Sequence, residues 1–300
     1  ASTETDNLPY NSELKPYQSD GKSSGTMDDR WAFTERNTFL DYSTVASLAA
    51  ASRALRGYND TLSQQCLFYA RQLWDEDEGK TDTSRFAAFR RNIKAPASLQ
   101  LYITTKGEKY AAEFKNTVWQ ILDRNVSFGI RQALQAIPYM DEVYKNKLRA
   151  YVVKLKAVCD DYAKQNPYGV PIATGGWGGS GGVVNFAATN YYANKYFPDI
   201  ITPEYVFRGL NYIFGCHPYS NVSFVSSVGT LSKKITYGNN RADFRFIAGG
   251  IVPGILVLKP DFPENKEDWP FLWGENEVTV GGCGDYIFLA AAAAQLAKGL

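Results

Sequence analysis

The chain has one histidine, two methionines and four cysteines in 300 residues. A lone histidine, His217, cannot build the multi-histidine ligand set common to catalytic zinc sites. Nor does any serine or cysteine nucleophile motif accompany it as a partner for a general base. Its place just after Gly215 instead suits a side chain that hydrogen-bonds a helix-terminal carbonyl. Cys66, Cys159, Cys216 and Cys283 are too dispersed for a disulfide-scaffolded miniprotein or a zinc cluster, and buried thiols are expected. The formal net charge of +1 gives no reason to expect nucleic acid or an anionic membrane as partner. No run of eighteen apolar residues occurs, so no membrane span is expected. The first residues lack the charged and apolar regions of an intact signal peptide, as they would after cleavage or truncation. Residues 75–82 are acidic and polar, but they do not form the Gly-centred loop that an EF-hand calcium site needs, and no cofactor is expected from the residues themselves.

What is present is enough to fold. An apolar content of 45% can bury a large core. Residues 1–30, rich in Ser, Asp, Gly and Lys, read as an extended arm or linker, and residues 31–300 as the folded domain. Helical spacing begins near Asp41, where Val45, Leu48, Ala49, Ser52 and Leu55 recur before Gly57. Asp60 or Thr61 can cap a second helix carrying Leu62, Cys66, Tyr69 and Leu73, which completes a helical hairpin. Tyr110, Phe114, Val118 and Leu122 define a further helix. Tyr144, Leu148, Tyr151, Leu155, Val158 and Tyr162 define a long one from Glu142, with packing as the expected use of its stripe. Val183 to Tyr191 opens another, and Thr202-Pro203-Glu204 marks the start of the next. A final Ala-rich helix is expected from about Gly284. Almost every periodic segment is thus helical, in adjacent hairpins, which predicts an all-α array or toroid.

Six glycines surround Trp177 between Gly175 and Gly182. No phosphate-binding lysine follows, which excludes a nucleotide loop. Glycine lets the backbone approach a neighbour closely, and a tryptophan face can stack on a sugar ring, so Trp177 is a candidate for substrate contact as well as for burial. Near the C-terminus Glu275 and Glu277 lie in Trp273-Gly-Glu-Asn-Glu-Val-Thr-Val280. A carboxylate desolvated there could keep its proton near neutral pH, as general acid catalysis of glycosidic cleavage requires. The residues alone leave Glu275 either as a second functional acid or as a solvent-facing neighbour.

Several short motifs recur in a fixed order. They are Asn166-Pro-Tyr-Gly-Val-Pro171, Trp177-Gly before a helix, Leu210-Asn-Tyr-Ile-Phe-Gly-Cys-His-Pro218, Ser223-Phe-Val-Ser-Ser-Val-Gly-Thr230, Gly250-Ile-Val-Pro-Gly254 and Asn276-Glu-Val278. In this order they resemble the C-terminal part of a glycoside hydrolase family 9 catalytic domain, the cellulase and endoglucanase family. The resemblance implies an (α/α)6 barrel, incomplete or divergent here, with about eight or nine helices and an N-terminal part missing. It implies Glu277 as the general acid of an inverting β-1,4-glucanase, and Asn276, Arg241, Tyr237, Trp177 and Trp273 as candidate contacts to a β-glucan. It leaves calcium open as a ligand, since some members bind it, and implies a secreted or periplasmic location. Sequons at Asn59, Asn125 and Asn221 would be usable only on a glycosylating secretory route.

Two departures bear on activity. Between Thr230 and Gly250 only Arg241 stands where the family carries a His-His-Arg-like cluster, in Tyr237-Gly-Asn-Asn-Arg241. The family's Asp-Ala-Gly-Asp segment, which holds the catalytic water, does not occur; Asp243, Asp261, Asp268 and Asp285 are the local carboxylates. The base would then belong to a missing segment or a second chain. The alternatives are a catalytically weakened carbohydrate-binding relative and a helical scaffold without a sugar site.

Overall fold

The computed structural model describes residues 5–29, 38–78, 87–234, 247–259, 261, 263–267, 269 and 272–299. The first hairpin is α1 (Thr38–Leu55) and α2 (Asp60–Asp77), turned at Gly57, whose φ of +82° is strained for other residues. Asn59, rather than Asp60 or Thr61, caps α2 by accepting the Leu62 N–H at 3.0 Å. The buried face of α2 is also rotated from the expected one: Ser63, Cys66, Ala70 and Trp74 point inward, while Leu62 and Tyr69 are exposed. Trp74 decides the rotation. Its ring meets Tyr42 and Tyr110 edge-on, with centroids 5.4 and 5.3 Å apart, a contact that neither Leu62 nor Tyr69 makes.

Next come α3 (Ala87–Thr105), α4 (Glu108–Arg124), α5 (Val126–Ala136) and α6 (Glu142–Gln165). Pro96 lies inside α3, where it removes a backbone donor; Ala95, Ala97, Leu99 and Leu101 are buried around it, so packing outweighs propensity. In α4 the expected stripe of Tyr110, Phe114, Val118 and Leu122 is buried throughout. α6 starts where Asp141 accepts the Tyr144 N–H at 2.8 Å, and it buries Tyr144, Leu148, Tyr151 and Leu155. α7 (Ser180–Tyr196) and α8 (Glu204–Ile213) form the next hairpin, α9 (Trp273–Asn276) is a single turn, and α10 (Val280–Ala297) closes the described order. α10 begins ahead of the expected Gly284, because Thr279 caps it by accepting the Gly282 N–H at 3.1 Å.

The helices pack as two layers. α1, α3, α5, α7 and α10 are neighbours in that order, and α2, α4, α6 and α8 each pack against the helix that precedes them. The result is an all-α toroid of helical hairpins, as expected. Among the described residues strands occur only as two short ladders, β1 (Val222–Ser223) with β2 (Leu231–Ser232) and β3 (Leu256–Val257) with β4 (Glu264–Asn265). One large core runs from α3 to α10, and a smaller one lies under α1, α2 and α3. By length and composition α10 could cross a membrane, a property that the count of uninterrupted apolar residues did not show. Within the fold it packs on α7 and α8 and buries Leu289, Ala292 and Ala293.

Residues 5–29 fold back on themselves through Asn11 N–H to Ser24 O at 2.7 Å and Gly25 N–H to Gln18 O at 2.9 Å. Of the four thiols, Cys66 and Cys159 are buried, but Cys283 is half-buried and Cys216 exposed, which corrects the expectation for those two. Cys216 directly follows the turn at Gly215, its N–H donating to Asn211 O at 2.9 Å.

Candidate functional site

Three loops converge beside the N-termini of α7 and α10. The Gly178 N–H donates to Gly274 O at 2.6 Å, and Ser180 reaches Pro253 O through its N–H at 2.9 Å and Val252 O through its hydroxyl at 2.6 Å. The approach is close enough to require glycine. A Cβ on Gly178 would lie 2.5 Å from Pro253 O, and one on Gly274 would lie 2.8 Å from Gly176 O. The glycine-rich segment is thus built for contact between backbones.

This junction sorts the acidic residues of residues 273–277. Glu275 is fully buried, its Oε1 accepting the Leu256 N–H at 3.3 Å while its carbonyl accepts the Gly254 N–H at 3.2 Å. Glu275 is therefore a buried strut between loops, not a solvent-facing neighbour. Asn276 is also fully buried, donating Nδ2 to Trp269 O at 2.9 Å. Its side chain thereby ties the turn to the segment at Trp269. Glu277 caps the end of α9 with its N–H on Trp273 O at 3.1 Å and is half-buried.

Glu277 faces a cavity of about 200 Å³ lined also by Trp177, Ser180, Val252, Thr279 and Asp285. Trp177 and Trp273 are both close to half exposed, and Trp177 is part of the cavity wall. The cavity singles out Asp285 from the local carboxylates: Asp261 is exposed on a loop, and Asp243 and Asp268 lie outside the described residues. Arg241 and Tyr237 lie outside the described residues as well. Among the described residues no group of three or more metal-ligating side chains is clustered.

His217 serves the loop architecture. It is 1% exposed and stacks on Phe224 with centroids 4.0 Å apart. Its Nδ1 accepts the Tyr219 N–H at 3.0 Å, which leaves Nε2 to donate to Val222 O at 2.7 Å. Burial holds the imidazole neutral, lowering its pKa to about 4, with Lys233 and Lys266 adding to the effect.

The hairpins and their convergent loops define a protein of the (α/α)-toroid class. The glycosyl hydrolase family 9 profile matches residues 15–266, and the chain belongs to that family. The match ends before Glu277. No curated protein sequence matches. Among solved structures, a family 9 glycoside hydrolase of Bacteroides ovatus shares 18% identity over 90% of this chain and 56% of its own, with a TM-score of 0.66. The cellulase Cel9M of C. cellulolyticum shares 16% over 88% of this chain and 65% of its own, at 0.59. The endoglucanase of the termite Nasutitermes takasagoensis shares 18% over 88% and 66%, at 0.58. The chain thus spans between about half and two thirds of the length of these structures.

Proposed function

We propose that this chain is the larger, C-terminal part of an inverting β-1,4-glucanase, with Glu277 as its general acid. The observation that carries the reading is the placement of Glu277: a half-buried carboxylate at the α9–α10 junction, in the wall of a cavity shared with Trp177. A tryptophan face offers the apolar side of a glucose ring a stacking surface. A carboxyl group beside it can then protonate the departing glycosidic oxygen as the bond to the anomeric carbon breaks. Family membership and the likeness to a cellulase and an endoglucanase favour a β-glucan as the polymer.

Inversion also needs a base on the opposite face of the sugar, with roughly 6.5–9.5 Å between the carboxyl groups to admit water. The base comes from an Asp-Ala-Gly-Asp-like segment outside residues 1–300, on the same polypeptide or a second chain. Residues 31–300 are the toroid and residues 1–30 its arm, and Arg241, Tyr237 and Trp273 contact the glucan beside Trp177. The enzyme acts in a secreted or periplasmic setting, where the polymer is found. The absence of the aspartate segment from the sequence favours one second reading, a glycan-binding relative that does not turn over.

The test is Glu277→Gln, which keeps size and polarity but removes the transferable proton. In the enzyme with its base restored, turnover of a reducing-end-labelled β-glucan falls about 10²–10⁴-fold while the oligosaccharide dissociation constant changes little. A two- or three-fold change in turnover removes Glu277 from the role. Binding without turnover in the restored protein selects the second reading.

A further inference from the structure

A continuous series of contacts runs from the buried histidine to the turn that carries Glu277. The His217 imidazole lies nearly parallel to the Phe224 ring, at an interplanar angle of 10° and a centroid distance of 4.0 Å. The Phe224 ring in turn packs against Gly254, so closely that a Cβ there would lie 2.6 Å from Cε2. Gly254 donates its N–H to Glu275 O at 3.2 Å, and the Glu275 side chain accepts the Leu256 N–H at 3.3 Å. Phe224 also accepts the Val252 N–H at 3.0 Å through its carbonyl, and Val252 and Pro253 line the cavity that Glu277 faces. Phe224 is fully buried, and a close-packed ring with no free space passes any displacement to its neighbours.

The His217 end of this series holds only while the imidazole is neutral. Nδ1 accepts the Tyr219 N–H at 3.0 Å while Nε2 donates to Val222 O at 2.7 Å. A proton on Nδ1 turns that acceptor into a donor aimed at another donor, and the buried ring then carries a charge whose new N–H is unsatisfied. The charged groups that act on the ring are Lys233, beyond β2, and Lys266, beyond β4, and both oppose a second positive charge. Tyr212 faces it from α8 and Tyr219 from the following turn, while Glu264 of β4 acts on Tyr212.

We propose that His217 is a pH-sensitive latch on the turn that carries Glu277. The neutral imidazole holds Phe224 against Gly254, and Gly254 holds Glu275 and with it Glu277. The protonated imidazole gives up Tyr219 and the stack opens, so the turn at residues 273–277 loosens while the helical core stays folded. The latch is a property of the turn; that it regulates a glycosidase rests on the glucan reading above.

NMR of the isotope-labelled 300-residue chain, titrated from about pH 7 to about pH 3, tests this, because a single histidine gives one imidazole to follow. The indole N–H signals of Trp273 and Trp177 report on the turn and the cavity wall, and that of Trp74, buried on α2, reports on the core. The expected result is that Trp273 and Trp177 shift with the midpoint of His217 while Trp74 does not. His217→Gln removes that midpoint from both indoles, although carboxylates still titrate. Phe224→Leu leaves the imidazole titrating and uncouples the two indoles from it, which a histidine that is merely buried would not do. A His217 titration that Trp273 does not follow overturns the latch, as does the same indole midpoint in His217→Gln. Movement of Trp74 at that midpoint also overturns it, because the whole fold then opens rather than the turn. Should a variant misfold, the comparison of Trp273 with Trp74 in the unsubstituted chain decides. No sugar enters these measurements, so a chain that binds no β-glucan removes the glucan reading and leaves the latch to be judged on its own signals.

Discussion

The Gly178 N–H donates to Gly274 O at 2.6 Å, and through this bond the loop ahead of α7 holds the turn that carries Glu277. The contact exists because neither residue has a side chain. A Cβ on either would strike a backbone oxygen, which cannot step aside as the tip of a flexible side chain can.

Gly178→Ala and Gly274→Ala should accordingly each destabilise the fold by about 1–3 kcal/mol, the usual cost of overpacking a close contact. Urea unfolding followed by tryptophan fluorescence measures this. Unchanged midpoints would mean that the loops are free to separate.

The two carboxylates of the turn should behave differently under substitution. Glu275→Ala removes the buried acceptor of the Leu256 N–H and should cost about 1–3 kcal/mol; Glu275→Gln keeps an oxygen there and should cost less. Glu277→Ala changes a half-buried cavity wall and should stay within about 0.5 kcal/mol. Equal losses for the two alanine variants in chemical denaturation would contradict the division between strut and cavity residue.

His217 should make stability pH-dependent in a defined window. Its folded pKa is about 4 against an ordinary value of 6.5, so between these pH values the unfolded chain binds more protons. The stabilisation is fully present above about pH 6.5 and is lost as pH falls to about 4, amounting to about 3 kcal/mol. Lys233 and Lys266 act in the same direction, while Tyr212, Tyr219 and Phe224 surround the ring without titrating in that range. His217→Gln removes the titrating group, and denaturation midpoints across the window should flatten. An identical pH profile in the variant would assign the dependence to other groups.

The thiols should separate by reactivity. Cys216 is exposed, whereas Cys159 is buried beside Asn190, and burial pushes its thiol up to about 11. An aromatic disulfide reagent should modify Cys216 in the folded protein and Cys159 only after denaturation, as peptide mass mapping would show. Rapid modification of Cys159 without denaturant would mean that α6 and α7 part readily.

Helical class and hairpin order were legible because burial on one side imposes a repeat that local sequence displays. The stripe from Tyr110 to Leu122 shows this directly. Where local signals conflict or are weak, they misplace detail. Pro96 argues against α3, and Leu62 and Tyr69 look more apolar than Ser63, although the ring contacts of Trp74 turn Ser63 inward.

The sequence by itself determined that the chain builds helical hairpins, that glycine gathers around Trp177, and that two acidic residues stand beside the start of a helix. Only the tertiary structure decided which acid faces a cavity. Glu275 and Glu277 are chemically alike and two positions apart; loops distant in sequence, at Gly178 and Gly254, bury the first and leave the second in the cavity wall. The hydrogen bonds from Arg131 to Asn185 and Asp285 were equally invisible along the chain, because they depend on α5, α7 and α10 lying side by side. Periodicity reports which side of a helix is covered; it carries no information about which distant segment covers it.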